Sequence, residues 1–303
     1  MSCLTDADEY PHLPSRRPDW RESYYFNFVD LDNDISGFTT IGLLPNLGKR
    51  EFVFVLFHAD RREVYFVEPE GSVTNDSLKS LSDGRLAFAL VSPLKEWIIR
   101  FAGEKLTADI RWKARFPVCD FGGGSETSWS GHFEQSGHVE GTVNLPGGPD
   151  IVVKGLGQRD KSWGPRDWHI DSWYALHAQF NSYSIALRRD VVKNTAHVSG
   201  AISTSDGHVA ISKVDLETEF TNGTDRMPIA ATTCIHGING TRYTLHSSLV
   251  SPVSFLKFSR GFPGGTTELF EEMALHECEE SGERATGLAE WLFTHRKPLL
   301  SDR

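Results

Sequence analysis

Short apolar runs bounded by polar and turn residues recur through most of this chain, and that pattern predicts one strand after another. Glu22–Leu31 (ESYYFNFVDL), Phe38–Leu44, Glu51–His58 (EFVFVLFH) and Glu63–Val67 open the series. They are rich in the aromatic and β-branched side chains that suit a pleated, half-buried surface. Arg85–Val91, Trp97–Phe101 and Leu106–Phe116 continue it, and Gly131–Glu134 with His138–Leu145 is expected to form a hairpin about Ser136-Gly137. A second series follows: Trp168–Phe180, Tyr183–Arg189, His197–Thr204, His208–Phe220, Ile229–His236, Tyr243–Val250, Leu269–Cys278 and Arg284–His295. Asn222-Gly223 and Asn239-Gly240 are hairpin-turn signals, because both residue types tolerate the positive φ such turns need. No segment sustains a 3.6-residue period, so helices are expected to be few and short.

Many of these strands are apolar on both faces, as in a barrel with something packed outside it. The strands are too many for one small barrel, and two consecutive antiparallel β-barrels of roughly 130 residues each are the simplest packing. The expected organisation is a polar segment over residues 1–19, a first barrel over 20–155 and a second over 156–303. The junction is placed at Gly155–Pro165 rather than at the turn-rich Asp120–Ser130 (DFGGGSETSWS), because the second strand series begins at Trp168.

Composition narrows the function classes. The 303 residues, 39% hydrophobic and 24% charged, suffice to bury a large core. A formal charge of −10, from 31 basic and 41 acidic residues, argues against a nucleic-acid partner, since an acidic chain repels a phosphate backbone. The N-terminal residues are polar, with Pro11, Pro14 and Pro18, and do not resemble a signal peptide. No run approaches the ~18 apolar residues of a membrane span. Cys3, Cys119, Cys234 and Cys278 share no metal-ligand spacing and read as reduced thiols, so a cytoplasmic location is expected. On the same grounds the sequons at Asn75, Asn222 and Asn239 are read as turns. A monomer and a homodimer fit the sequence equally.

Several chemistries lack their motif. Gly122-Gly123-Gly124 is not followed by Lys-Ser/Thr, and Gly155-Leu156-Gly157 opens no helix, so neither a phosphate loop nor a dinucleotide fingerprint is present. The 12 histidines never fall into HxH or HExxH spacing, which leaves only a composite metal site as an alternative. No Gly-x-Ser-x-Gly elbow occurs. No cofactor is expected.

The densest chemistry lies in Gly155–Trp168, GLGQRDKSWGPRDW. With Arg159–Trp163 extended, Asp160 and Ser162 face one way and Arg159, Lys161 and Trp163 the other. Gly164-Pro165 is expected to turn the chain. This stretch resembles the RDxSWG-RDW signature of the broad AttH-like and carotenoid 1,2-hydratase (CrtC-like) superfamily. ESYYFNF, GFTTIGLLPN, HFEQSGHVEGTV and the terminal TGLAEWLF agree with it, so the resemblance runs from Glu22 to Phe293. It implies two lipocalin-like barrels and a place beside carotenoid hydratases, kievitone-type hydratases and fungal Diels–Alder cyclases. One departure stands out: Lys161 occupies a position where the family pattern carries His.

Hydrating an alkene requires a strong proton donor, a dry cavity, electron-rich surfaces for a carbocation and one placed water. Asp160 is one acid for that task, and an ion-paired structural Asp160 is the competing reading. Glu290 is the second; it shares a strand face with Leu288 and Leu292 and is either protonated or paired with Arg159 or Arg166. Trp163, Trp168, Trp173 and Tyr174 either offer cation–π surfaces or pack the core. His169 and His177 are read as proton relays or satisfied histidines, and Tyr25, among the N-terminal aromatics, as a cavity wall. Arg159, Arg166 and Asp167 are expected to hold the seam between barrels. The resemblance and the acid-and-indole cluster together imply a cofactor-independent hydratase or dehydratase. Its partner would be a small, lipophilic, isoprenoid-like molecule bound between the barrels. A cyclase acting on a polyene and a non-catalytic carrier are the alternatives.

Overall fold

The computed structural model describes residues 4–71, 73, 78–123, 129–223 and 226–297. Cys3, the sequon at Asn75, Thr224 and residues 124–128 of the glycine-rich stretch lie outside the described residues. The fold is nearly all antiparallel strand, with three 3-10 turns at Asp6–Glu9, Pro45–Leu47 and Leu78–Ser80.

The first sheet is built from β1 (Trp20–Asp30), β2 (Ile35–Leu44), β3 (Lys49–His58), β4 (Arg61–Val67) and β5 (Leu86–Ser92). It continues with β6 (Glu96–Ala102), β7 (Thr107–Ala114), β8 (Cys119–Gly122), β9 (Gly131–Asn144) and β10 (Ile151–Pro165). Its strand order is β4-β3-β2-β1-β10-β9-β7-β6-β5, with β8 added on β9. The sheet curls into a half-barrel whose free edges are β4 and β5; Phe54 stacks on Phe101 at a centroid distance of 4.3 Å, and Tyr65 meets the same ring at a tilt, 5.2 Å away.

The second sheet comprises β11 (Ser172–Gln179), β12 (Ser184–Val192), β13 (Thr195–Thr204), β14 (Gly207–Phe220) and β15 (Pro228–Gly237). β16 (Arg242–Leu249), β17 (Phe255–Phe262), β18 (Gly265–Cys278) and β19 (Arg284–Arg296) complete it. β19 pairs with β11 and β16 with β18, so eight strands close into a barrel and β17 lies against β18 outside the ring. The expected architecture of two lipocalin-like barrels holds, the second closed and the first an open curl.

Two local expectations fail for the same reason. The hairpin about Ser136-Gly137 is absent, because β9 runs unbroken alongside β10 from Val143↔Ile151 to Gly131↔Trp163. The small residue serves close packing instead: a Cβ at Gly137 would come within 2.3 Å of the Trp112 indole. Nor does Gly164-Pro165 turn the chain. Gly164, at φ 129°, carries the strand on past Ser130, and the pairing with β1 reaches Trp20↔Pro165. The chain leaves the first sheet at Pro165 and enters the second at Ser172. A division at 155/156 would therefore cut through a strand that pairs wholly within the first sheet.

Every residue of β1 is buried, which explains its two apolar faces. Tyr24, Phe26 and Phe28 fill the first core with Trp97 and Trp112. Tyr25 and Val29 point the other way and meet Met273 and Leu288 of the second barrel. The same rule divides β11, where Tyr174 and Leu176 face the second core and Trp173 faces its outside.

The N-terminal segment closes the concave side of the first sheet. Glu9, fully buried, accepts hydrogen bonds from the Leu94 amide at 2.6 Å and the Trp97 indole at 3.2 Å, and it forms an ion pair with Arg159. Lys161 is likewise sealed against Glu22 and the Tyr10 carbonyl. Removing one partner of a buried pair strands the other charge, at a cost of roughly 3–5 kcal/mol. Glu9→Ala is therefore expected to lower the urea midpoint strongly, while Glu70→Ala, which removes an exposed partner of Lys49, leaves it unchanged. Equal midpoints for the two variants would show that the segment does not belong to the fold.

Candidate active site

The outer faces of the two sheets meet, and a cavity of about 120 Å³ lies between them. β10 places Gln158, Asp160 and Ser162 on its wall, and β1 adds Arg21, Ser23 and Tyr25. Pairing registers then fix the remaining neighbours. Asp160 sits opposite Glu134 of β9 on one side and Tyr25 of β1 on the other. Across the cavity Glu290 of β19 sits opposite Glu271 of β18 and Ala175 of β11. Four carboxyl groups thus converge, two from each sheet.

Burial makes these acids weak. Desolvation pushes Asp160 up; Arg166 opposes this and Glu290 reinforces it, and the balance lies at about 7 against an ordinary 3.8. Glu134 is raised well above the usual range by burial and then by Asp160. Glu271 is raised in the same way by burial and Glu290. Glu290 is also raised by burial, with the Arg188 cation and its hydrogen bond from Trp173 working against the shift. Like charges this close cannot all ionise, so the cavity holds protons at neutral pH.

Hydrogen bonds orient the set. The Trp173 indole donates to Glu290 at 2.6 Å, and the Gln158 amide donates to Glu134 at 2.5 Å while accepting from Asn27 at 3.1 Å. Arg166 donates to the Ser162 hydroxyl at 2.7 Å. Arg188 donates to Asp190 at 2.7 Å and lies over the rings of Trp173 and Trp129 at 3.9 and 4.4 Å. Gly42 leaves room for the Arg21 guanidinium, which would lie 2.3 Å from a Cβ there and pairs with Glu51. His132 is held neutral by burial and by Arg188 and Arg166.

Of the residues singled out from the sequence, Asp160, Glu290, Trp168, Trp173, Tyr25 and Arg166 line this cavity. Trp163 does not: it lies on the opposite face of β10, stacked on His12 at 3.8 Å. Tyr174 is in the second core, with its hydroxyl 3.1 Å from that of Thr233. His177 is buried between the sheets beside Ser136, 3.5 Å away, and is not part of the wall. Arg159 and Glu290 are not partners, since Arg159 pairs with Glu9 inside the first curl. Asp167 is exposed and accepts from the His169 amide at 2.8 Å. Lys161 faces away from the cavity and pairs with Glu22, so it is a neighbour of Asp160 in sequence but not in the site.

Glu134, Glu271, Arg188 and Gln158 escaped the sequence reading. Glu271-Glu272 within the apolar run LFEEMAL was the available signal, because a strand there must bury both carboxyls.

Fold and site together define a two-barrel β protein with an acid-lined cavity between its sheets. The chain belongs to the DUF7064 family, described as a domain of unknown function, which matches residues 5–294. A search of the curated proteins gives no match. Among solved structures, kievitone hydratase from Nectria haematococca superposes with a TM-score of 0.68 at 13% identity, over 96% of this chain and 93% of that one. A putative AttH from Nitrosomonas europaea gives 0.64 at 13%, covering 92% and 93%. CghA, crystallised with Sch210972, gives 0.62 at 12%, covering 91% and 88%. At these identities the likeness is one of fold. No helix among the described residues is long and apolar enough to cross a membrane.

The raised Asp160 has a thermodynamic signature. An unfolded chain releases that proton near 3.8 and the native chain near 7, so between those values the native state binds more protons and loses stability as pH rises. Asp160→Asn cannot titrate. Its melting temperature relative to wild type is expected to climb from pH 4 to pH 7 and then level off. A constant difference across that range would mean that Asp160 ionises alike in both states.

Proposed function

We propose that this protein is a cofactor-independent hydro-lyase that adds or removes water at a C=C bond of a small lipophilic, isoprenoid-like molecule. The observation that carries this reading is Asp160, an acid held at about 7 in a cavity walled by Trp168, Trp173, Tyr25 and Leu288. Such a group is partly protonated at neutral pH and is a stronger donor than water by many orders of magnitude. In the hydration direction Asp160 gives its proton to the less substituted alkene carbon. Water adds to the resulting cation, and the surplus proton returns to the Asp160 carboxylate, which closes the cycle. Burial raises the other three carboxyls as well, which limits the negative charge that the cavity gathers around Asp160.

The cavity sets the size of what reacts. A void of 150 Å³ takes a benzene ring, so about 120 Å³ admits a branched five-carbon end with little to spare. The reacting terminus enters and the rest of the molecule lies outside. Tyr25 supplies the electron-rich surface, because guanidinium groups already lie over both indoles, Arg188 over Trp173 and Arg166 and Arg260 over Trp168. Kievitone hydratase, which shares the fold, is a hydratase by name and agrees with this reading.

Hydrogen-bond donors from two arginines and protonated acids would also suit a cyclase that folds a polyene, in line with the sequence resemblance. Incubating a panel of prenylated phenols and linear polyenes in H₂¹⁸O separates the readings. Hydration adds one labelled water to the product mass, whereas cyclisation leaves it unchanged. For the hydro-lyase, Asp160→Asn is expected to lower kcat about 10²–10⁴-fold. Wild-type activity should fall as pH rises through about 7 with loss of the protonated acid. Undiminished turnover by Asp160→Asn would refute the assigned role.

A further inference from the structure

A second and larger space, of about 750 Å³, lies beyond the acid cavity. On each strand the same face supplies both: Gln158 and then Leu156 on β10, Ala175 and then Gln179 on β11, Glu271 and then Leu275 on β18. His177, Met273 and Leu288 are buried on this same face of β11, β18 and β19, between the two spaces. From Ala175 to Gln179 is four residues, or about 13 Å of strand. The volume falls within the range of small-molecule sites, which the acid cavity does not reach.

Two wall residues are out of keeping with a merely structural groove: His276, whose buried Nε2 has no partner, and above all Gln179. Gln179 is 2% exposed, yet neither its amide nitrogen nor its amide oxygen has a hydrogen-bond partner. A buried amide left wholly unpaired costs several kilocalories in the worst case, and native proteins seldom tolerate it without a ligand or water. Leu31, Leu156 and Leu275 supply apolar walls beside it. At the rim Glu277 pairs with Arg284 at 3.4 Å, and Glu219 adds a further negative charge.

We propose that this groove is a second binding site, for a neutral amphipathic molecule whose head presents a donor and an acceptor side by side, as a carboxamide or hydroxy-carbonyl does. Gln179 offers the complementary acceptor and donor, and the leucines take the hydrocarbon body. The acidic rim disfavours a carboxylate head. The site stands independently of the chemistry at Asp160.

Decanamide is the probe, with methyl decanoate, which accepts but does not donate, as comparator. Titration calorimetry is expected to show saturable decanamide binding to the full chain and at least tenfold weaker binding of the ester. Gln179→Leu should weaken decanamide at least tenfold while raising the melting temperature, because it removes an unpaired buried amide. Leu275→Trp, which fills the groove, should abolish binding. Three outcomes would each overturn the proposal: equal affinity for the two probes, undiminished binding by either variant, or a Gln179→Leu chain less stable than wild type.

Discussion

The constraint on which this molecule depends is the two-residue period of a strand buried on both sides. β10 lies at the middle of the first sheet, with β1 and β9 as neighbours, and along Gln158–Ser162 every residue is buried except Asp160, which opens on the cavity. Its odd positions, Arg159 and Lys161, therefore find counter-ions in the N-terminal segment and β1. Its even positions, Gln158, Asp160 and Ser162, face the second barrel. Five consecutive residues thus perform two separate tasks, one holding a segment in place and the other presenting an acid.

The two faces resolve the same electrostatic problem in opposite ways. Inside the curl, Glu22 stays charged because it touches a cation; burial alone would raise it, but Lys161 and His12 hold it below its ordinary value. Between the sheets the carboxyls outnumber close cations and crowd one another, so each is raised above its ordinary range. Burial is common to both sites, and the local balance of charge decides which becomes a strut and which a proton source.

The sequence disclosed much of this and concealed a definite part. Strand after strand was legible from runs of aromatic and β-branched residues, and the period of two divided Asp160 from Arg159, Lys161 and Trp163. Which of the two faces held the cavity was not legible, because period alone separates side chains into two sets without saying what covers each. Trp163 and Tyr174 fell on the far side for that reason, while Trp168 and Trp173 fell on the near one. Ser136-Gly137 read as a turn because small residues serve turns and tight packing equally well. Glu9 read as part of a polar tail, since its partner Arg159 lies 150 residues away in the chain.

That separation also governs how the chain can be assembled. β1 pairs with β2, which follows at once, and with β10, whose last residue is Pro165. During synthesis one edge of a strand that ends wholly buried stays unpaired until more than half of the chain has left the ribosome. Long-range pairings of this kind fold late and slowly, because loop closure comes before the contacts that reward it. The most protected strand of the finished protein is therefore the one whose edge must be shielded longest while the protein is being made.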